Sequence, residues 1–280
     1  MADGQIGIVT GAARGMGAAC VARLRDMVDV VVMADRDEEG LAAAVTGQSA
    51  LGGRAVLEPF VLDVSDGHAL ARLAERVGQL GTLRAVAHAA GVSPTMADWR
   101  QILSVDLVGT AALLEAVRPL ACEGTAIVCF ASISALLGIA EAETAADAVL
   151  NEPLDPQFLE RLREAVGPDL EDPGLAYTWA KRGVHRLVRR EAVPFGRLGA
   201  RLCSVTPGII DTPMGRQEAE AHEVMRMLVR SSALAREGHA EEVAAAVAFL
   251  LSDEASYVTG VDLTVDGGVV AAIRGGAPIA

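Results

Sequence analysis

Seven short apolar runs recur along the chain with room for a helix between each pair: QIGIVT (5–10), VDVVVMAD (28–35), RAVLEPFVLD (54–63), LRAVAHAAG (83–91), TAIVCFAS (125–132), ARLCSVTPG (200–208) and GVDLTVDGG (260–268). Between them, stretches such as HALARLAERVGQL and AAVAFLL repeat apolar residues at helical spacing. Strands that are apolar almost throughout are buried on both faces, so the pattern predicts a parallel sheet covered by helices and joined by right-handed crossovers. The expected fold class is α/β, a doubly wound parallel sheet of seven strands that places ligands at the carboxyl ends of its strands. No repeat, low-complexity tract or linker divides residues 1–280, so a single domain is expected.

At 280 residues and 51% apolar side chains the chain can bury a full core. A net charge of -13 with a pI near 4.8 excludes the basic surface that nucleic-acid binding needs. The start MADGQIGIVT lacks a basic leader, and no uncharged apolar stretch approaches the roughly 20 residues of a membrane span. A cytoplasmic protein without a membrane partner is therefore expected. Cys20, Cys122, Cys129 and Cys203 form no CxxC pair and the five histidines lack ligand spacing, which predicts free thiols and no metal site.

The acidity is concentrated. Residues 139–174 hold ten acids (Glu141, Glu143, Asp147, Glu152, Asp155, Glu160, Glu164, Asp169, Glu171, Asp172) against Arg161 and Arg163. Within them DPQFLERLREAVG offers Asp155 as an N-cap, Pro156 at the first helical position, and Phe158, Leu159, Leu162 and Val166 along one stripe. An amphipathic helical insertion is expected there.

The chemistry begins after the first strand, in TGAARGMG (10–17). Gly11, Gly15 and Gly17 permit a tight turn, close backbone approach to a pyrophosphate, and a helix start whose amides bind phosphate. The spacing is GxxxGxG, and its position between strand and helix favours a nucleotide site over a plain turn. Asp35 ends the second strand, eighteen residues beyond Gly17. A carboxylate there accepts from ribose hydroxyls and repels a 2'-phosphate, which favours NAD over NADP. Arg14 and Arg36 point the other way, since either could reach a phosphate, and Asp35 or Asp37 could instead cap the next helix. Asp63 in VLDVSD is placed to accept from an adenine amino group, and Gly91 in AHAAGV allows close approach to the cofactor ribose. Ser132 falls at the carboxyl end of the fifth strand, with Ser134 an alternative hydroxyl. In LAYTWAKRG, Tyr177 and Lys181 are four residues apart and share a helix face. Alone, such a pair is ordinary surface.

Taken in this order, TGAARGMG, Ser132, the Tyr177 and Lys181 of YTWAK, TPGIIDTP (206–213) and the closing VDGG (265–268) resemble the short-chain dehydrogenase/reductase family over nearly the whole chain. The resemblance implies a Rossmann-type fold, a nicotinamide cofactor and a Ser132, Tyr177, Lys181 triad. It also implies cofactor contacts from Met16, Val64, Ala90, Pro207, Gly208, Ile210 and Thr212, the last near the nicotinamide carboxamide, and a homotetramer. Two positions depart from the family pattern: Asp106 in SVDLVGT stands where Asn is usual, and His88-Ala89-Ala90-Gly91 where Asn-Asn-Ala-Gly is usual. Ser132 and Tyr177 are 45 positions apart, farther than usual. A bacterial branch resembling 3α-hydroxysteroid dehydrogenase/carbonyl reductase carries a comparable insertion.

A free tyrosine, with a pKa of about 10, is too weak a base at neutral pH. Lysine one turn away and the positive nicotinamide both favour the phenolate. Tyr177 would then exchange the proton of the reacting alcohol or carbonyl, Ser132 would hold its oxygen, and Lys181 would polarise Tyr177 and grip the ribose. Asp106, if near Lys181, should raise the Tyr177 pKa; alternatively it only accepts local amides. Residues 209–240 are expected to shape the substrate pocket, with Met214, Met225, Met227 and Leu228 as candidate contacts or plain core. The expected substrate is a hydrophobic secondary alcohol or ketone, steroid- or terpenoid-like. Two alternatives keep the same residues: an NADP-dependent carbonyl or 3-oxoacyl reductase, and a slow NAD-binding sensor or interaction protein.

Overall fold

Each of the seven apolar runs forms a strand in the computed structural model, which describes residues 4–138 and 144–276. They are β1 (Gly4–Thr10), β2 (Val30–Asp35), β3 (Val56–Val61), β4 (Gly81–His88), β5 (Ala126–Phe130), β6 (Arg201–Pro207) and, after the two-residue pieces β7 (Ile210–Asp211) and β8 (Gly238–His239), β9 (Asp262–Val265). The sheet order is β3-β2-β1-β4-β5-β6-β9, and each neighbouring pair runs parallel. The chain winds outward through β2 and β3, then returns to lay β4 on the far side of β1. A crevice opens where that order reverses, beyond the carboxyl ends of β1 and β4.

Alternation along the strands splits the core between the two faces. Ile6, Ile8, Val32, Val86 and Ile127 face one side with the helices Gly67–Leu80, Gly109–Val117 and Pro173–Gly196. Val9, Val31, Met33, Ala85, Val128 and Cys203 face the other with the helices Gly15–Leu24 and Ala240–Leu251. Neighbours such as Val31 and Val32 thus belong to different layers.

The insertion is helical. It contains Ala145–Val149, Phe158–Val166 and a 3₁₀ turn, Pro168–Glu171. Phe158, Leu162 and Leu170 are buried in the same core layer as Trp99, Leu103 and Trp179. The longer helix starts later than expected: Asp155 accepts from the Gln157 amide at 2.8 Å and pairs with Arg161, which fixes a turn ahead of Phe158. Thr144 and Asp147 form a capping box at Ala145–Val149. The buried Asp147 carboxylate then accepts from Arg182 at 2.6 and 2.9 Å and lies 3.5 Å from Arg186, tying the insertion to the helix Pro173–Gly196. Ile139, Glu141 and Glu143 of the expected insertion lie outside the described residues.

Candidate active site

Beyond the end of β1 the chain turns through Gly11 and Gly15, with φ of +66° and +55°, and enters the helix Gly15–Leu24. A Cβ on Gly17 would stand 2.0 Å from the Gly11 carbonyl oxygen, so no side chain fits between turn and helix. Arg14 at the N-cap makes no side-chain capping bond, which leaves the first-turn amides at the cleft free to meet a phosphate.

One continuous cleft is lined by Gly11, Arg14, Gly15, Met16, Gly17, Asp35, Arg36, Asp63, Val64, Ala90, Gly91, Asp106, Tyr177, Lys181, Thr212 and Met214. The structure thus gathers most of the residues singled out in the sequence. Asp35 accepts from the Ala13 amide at 3.0 Å with one oxygen and from the Asp37 amide at 3.0 Å with the other. The helix Glu38–Ala50 is capped by Asp37 instead, through the Gly40 amide at 2.9 Å. Arg14 lies 3.5 Å from Asp37. The Ser65 hydroxyl, at 2.6 Å, holds the Asp63 carboxyl below the usual carboxylate range. Pro207, Gly208 and Ile210 do not line the cleft; Pro207 ends β6 and Ile210 opens β7, packed in the core.

Tyr177 and Lys181 project from the helix Pro173–Gly196, which Asp172 caps through the Leu175 amide at 2.8 Å. The Lys181 ammonium donates to the Phe130 carbonyl at 3.1 Å, faces Asp106 Oδ1 at 3.4 Å, and sits 5.5 Å from the Tyr177 ring centre. Lys181 is the chain's single lysine; every other basic side chain of this kind is arginine. Ser132 lies just past β5, acts on the Tyr177 phenol so as to lower its pKa, and accepts from the Ser134 amide at 3.2 Å. Neither Ser132 nor Ser134 lines the cleft described above, and Ser134 Oγ is buried without a hydrogen-bond partner among the described residues.

Asp106 occupies a π-helical turn, Ser104–Val108, between the helices Trp99–Leu103 and Gly109–Val117. Such wide turns aim a residue where a regular helix could not. The Asp106 side chain accepts from the Val92 amide at 3.1 Å and faces Lys181 through the same oxygen, so it serves a loop amide and the lysine at once. Its other oxygen is buried without a partner among the described residues. Burial pushes the Asp106 carboxyl above its ordinary value. Burial also pushes the Tyr177 phenol up, and Asp106 adds to the rise against the pull of Lys181 and Ser132. Lys181 and Asp106 thus pull the tyrosine in opposite directions, as expected for an Asp106 close to the lysine. Burial would lower Lys181, but Asp106 and Tyr177 together hold its ammonium above the ordinary value.

Of the substrate candidates, Met214 reaches the cleft, while Met225, Met227 and Leu228 are half-buried on the helix Glu223–Ser231. Met96 and Gln217 also line the cleft and were not apparent in the sequence, because a turn after β4 and the helix Pro213–Ala221 meet there only through tertiary placement. Glu218 joins the two walls: its carboxylate accepts from the Thr95 hydroxyl at 2.5 Å and the Thr95 amide at 3.1 Å.

The glycine-turn cleft, lined by Tyr177 and Lys181 with Ser132 just past β5, thus sits at the strand ends of a doubly wound sheet. A family model described as enoyl-(acyl carrier protein) reductase matches residues 11–149 and 165–270. Meso-2,3-butanediol dehydrogenase of Serratia marcescens is 32% identical, the match covering 96% of both chains. Cyclohexanol dehydrogenase of an Acinetobacter species is 30% identical, over 95% of this chain and 94% of that one. Levodione reductase superposes with a TM-score of 0.75 at 26% identity, over 95% of this chain and 98% of that one. The chain belongs to the short-chain dehydrogenase/reductase family of oxidoreductases.

Proposed function

We propose that the protein is an NAD-dependent dehydrogenase that interconverts a hydrophobic secondary alcohol and its ketone. The observation that carries this reading is that Tyr177 and Lys181 line one cleft with the glycine turn, with Ser132 acting on the Tyr177 phenol. The turn fits a dinucleotide: Gly17 has no room for a Cβ, and the first-turn amides face the cleft. Asp35 at the end of β2 suits ribose hydroxyls, and the pairing of Arg14 with Asp37 draws that guanidinium away from a 2'-phosphate.

NAD, when bound there, supplies the hydride acceptor in one direction and, reduced, the donor in the other. The glycine turn and Asp35 would hold its phosphates and adenosine ribose, and Lys181 the nicotinamide ribose. Ser132 would orient the substrate oxygen and Tyr177 would take or return its proton. Lys181 favours the phenolate, and a cationic ring nearby would favour it further. Met96 and Met214 give the pocket an apolar rim, which suits a cyclic, terpenoid- or steroid-like substrate. The relatives named for cyclohexanol and butanediol support an alcohol substrate. The likeness of the insertion to that of the 3α-hydroxysteroid dehydrogenase branch supports a bulky one. We further propose a cytoplasmic homotetramer. Support for assembly comes from the exposed apolar side chains of Val193, Phe249 and Val261, from β9 as an edge strand, and from a fully exposed Tyr257.

The test is NADH formation at alkaline pH from a panel of hydrophobic secondary alcohols, with Tyr177→Phe as the control. A loss of about 100-fold or more in kcat with the phenol removed is expected. Turnover only of small polar alcohols, or a preference for NADP, would overturn the corresponding part of the proposal.

A further inference from the structure

The two departures from the family pattern, His88 and Asp106, meet in the structure. His88 ends β4, is buried, and bonds to a threonine on each side: Nδ1 lies 2.7 Å from Thr10 Oγ1, and Nε2 lies 2.9 Å from Thr110 Oγ1. Thr110 donates its hydroxyl proton to the Asp106 main-chain carbonyl at 2.8 Å, so toward His88 its oxygen can only accept. The imidazole must then carry its proton on Nε2, which leaves Nδ1 to accept from Thr10. Thr10 in turn accepts from the Ala90 amide at 3.1 Å. Every hydrogen has one place to go. The chain runs from the Ala90 amide through Thr10, His88 and Thr110 to the carbonyl of Asp106, and it closes only with a neutral ring. Burial, with Lys181 as the nearby charge, keeps it so by lowering the His88 pKa to about 3.

We propose that His88 is a positioning residue for Asp106: through Thr110 it fixes the π-helical turn and thereby sets how strongly the Asp106 carboxylate acts on Lys181 and Tyr177. This rests on the oxidoreductase reading only for the consequence to turnover. The hydrogen-bonded path itself is a property of the fold. The groups that feel the carboxylate are Lys181 and Tyr177 from the helix Pro173–Gly196; Cys129 of β5 also faces Lys181, and Glu218 also acts on Tyr177.

The chain has two tyrosines, so protein labelled with ¹³C at the tyrosine Cζ gives two resonances: Tyr177, and the fully exposed Tyr257 as an internal reference. Titrations with and without NAD, and kcat against pH on the same samples, compare Thr110→Val, Thr110→Ser and His88→Gln. Thr110→Val cuts the path while leaving His88 in place, and Thr110→Ser keeps the hydroxyl. A turn freed by Thr110→Val should weaken the grip of the Asp106 charge and move the Tyr177 midpoint downward by about half a pH unit or more, the lower end of coupling within one network. His88→Gln should move it the same way, and Thr110→Ser should restore it. In an Asp106→Asn background the Thr110→Val shift should vanish, because the charge it positions is gone. A midpoint unmoved by Thr110→Val, or moved equally in the Asp106→Asn background, would overturn the proposal. An unmodified protein that turns over no alcohol or ketone would instead sink the oxidoreductase reading, while the Tyr177 titration still decides the role of His88.

Discussion

Asp106 concentrates the electrostatics of the site in one atom. Its Oδ1 accepts from the Val92 amide and faces Lys181, and its charge raises the affinity of Tyr177 for a proton. Alcohol oxidation needs the phenolate, so Asp106→Asn should shift the kcat profile to lower pH; superimposable profiles for the two proteins would refute this. Gly91 guards the same atom. A Cβ there would lie 2.5 Å from Asp106 Oδ1 and 3.5 Å from Lys181 Nζ. Gly91→Ala should therefore displace the carboxylate and, like Asp106→Asn, shift the kcat profile to lower pH, with Tm changed little. A collapse in Tm with kcat per folded molecule intact would show that the methyl group disturbs packing and leaves the ion pair alone.

At the scale of elements, the insertion is fastened by Asp147, whose side chain is only 1% exposed between Arg182 and Arg186. Removing one partner from a buried pair leaves charge uncompensated, so Asp147→Ala should cost about 3 kcal/mol, measured by denaturant unfolding. A change below about 0.5 kcal/mol would mean that the apolar contacts of Phe158 and Leu162 alone hold the insertion. The strands and the insertion were legible because their signals are periodic, and the glycine turn because its chemistry is local. The π-helical turn at Ser104–Val108 was not, since SVDLV carries no mark of a wider helix. Nor was the path through His88, which depends on β1 and β4 lying in register with Thr10 opposite His88. Asp37 as the cap was one of two candidates open in the sequence, whereas Met96 and Met214 lining one cleft follows from tertiary placement that no window of sequence contains.

For the whole molecule, the buried His88 has a signature in acid. Its pKa falls from 6.5 to about 3 on folding, so the unfolded chain takes up the proton first as pH drops. The stability that the neutral ring contributes is complete above pH 6.5 and is lost as pH falls toward 3. By pH 4 the loss should be on the order of 3 kcal/mol, and His88→Gln should show a correspondingly shallower decline of Tm between pH 6.5 and 4. Equal declines in both proteins would place the acid sensitivity elsewhere, among the carboxylates of this strongly acidic chain.

The single lysine has a practical side. Apart from the terminal amine, the only primary amine in the chain is the 5% exposed Lys181, held between the Phe130 carbonyl and Asp106. Reagents that acylate or reductively alkylate amines therefore find one internal target, reached through the cleft that it lines and reactive only once the ammonium gives up its proton. The rate of that modification, followed by intact mass, becomes a direct gauge of whether the cleft is occupied, and any ligand that fills it should slow the reaction.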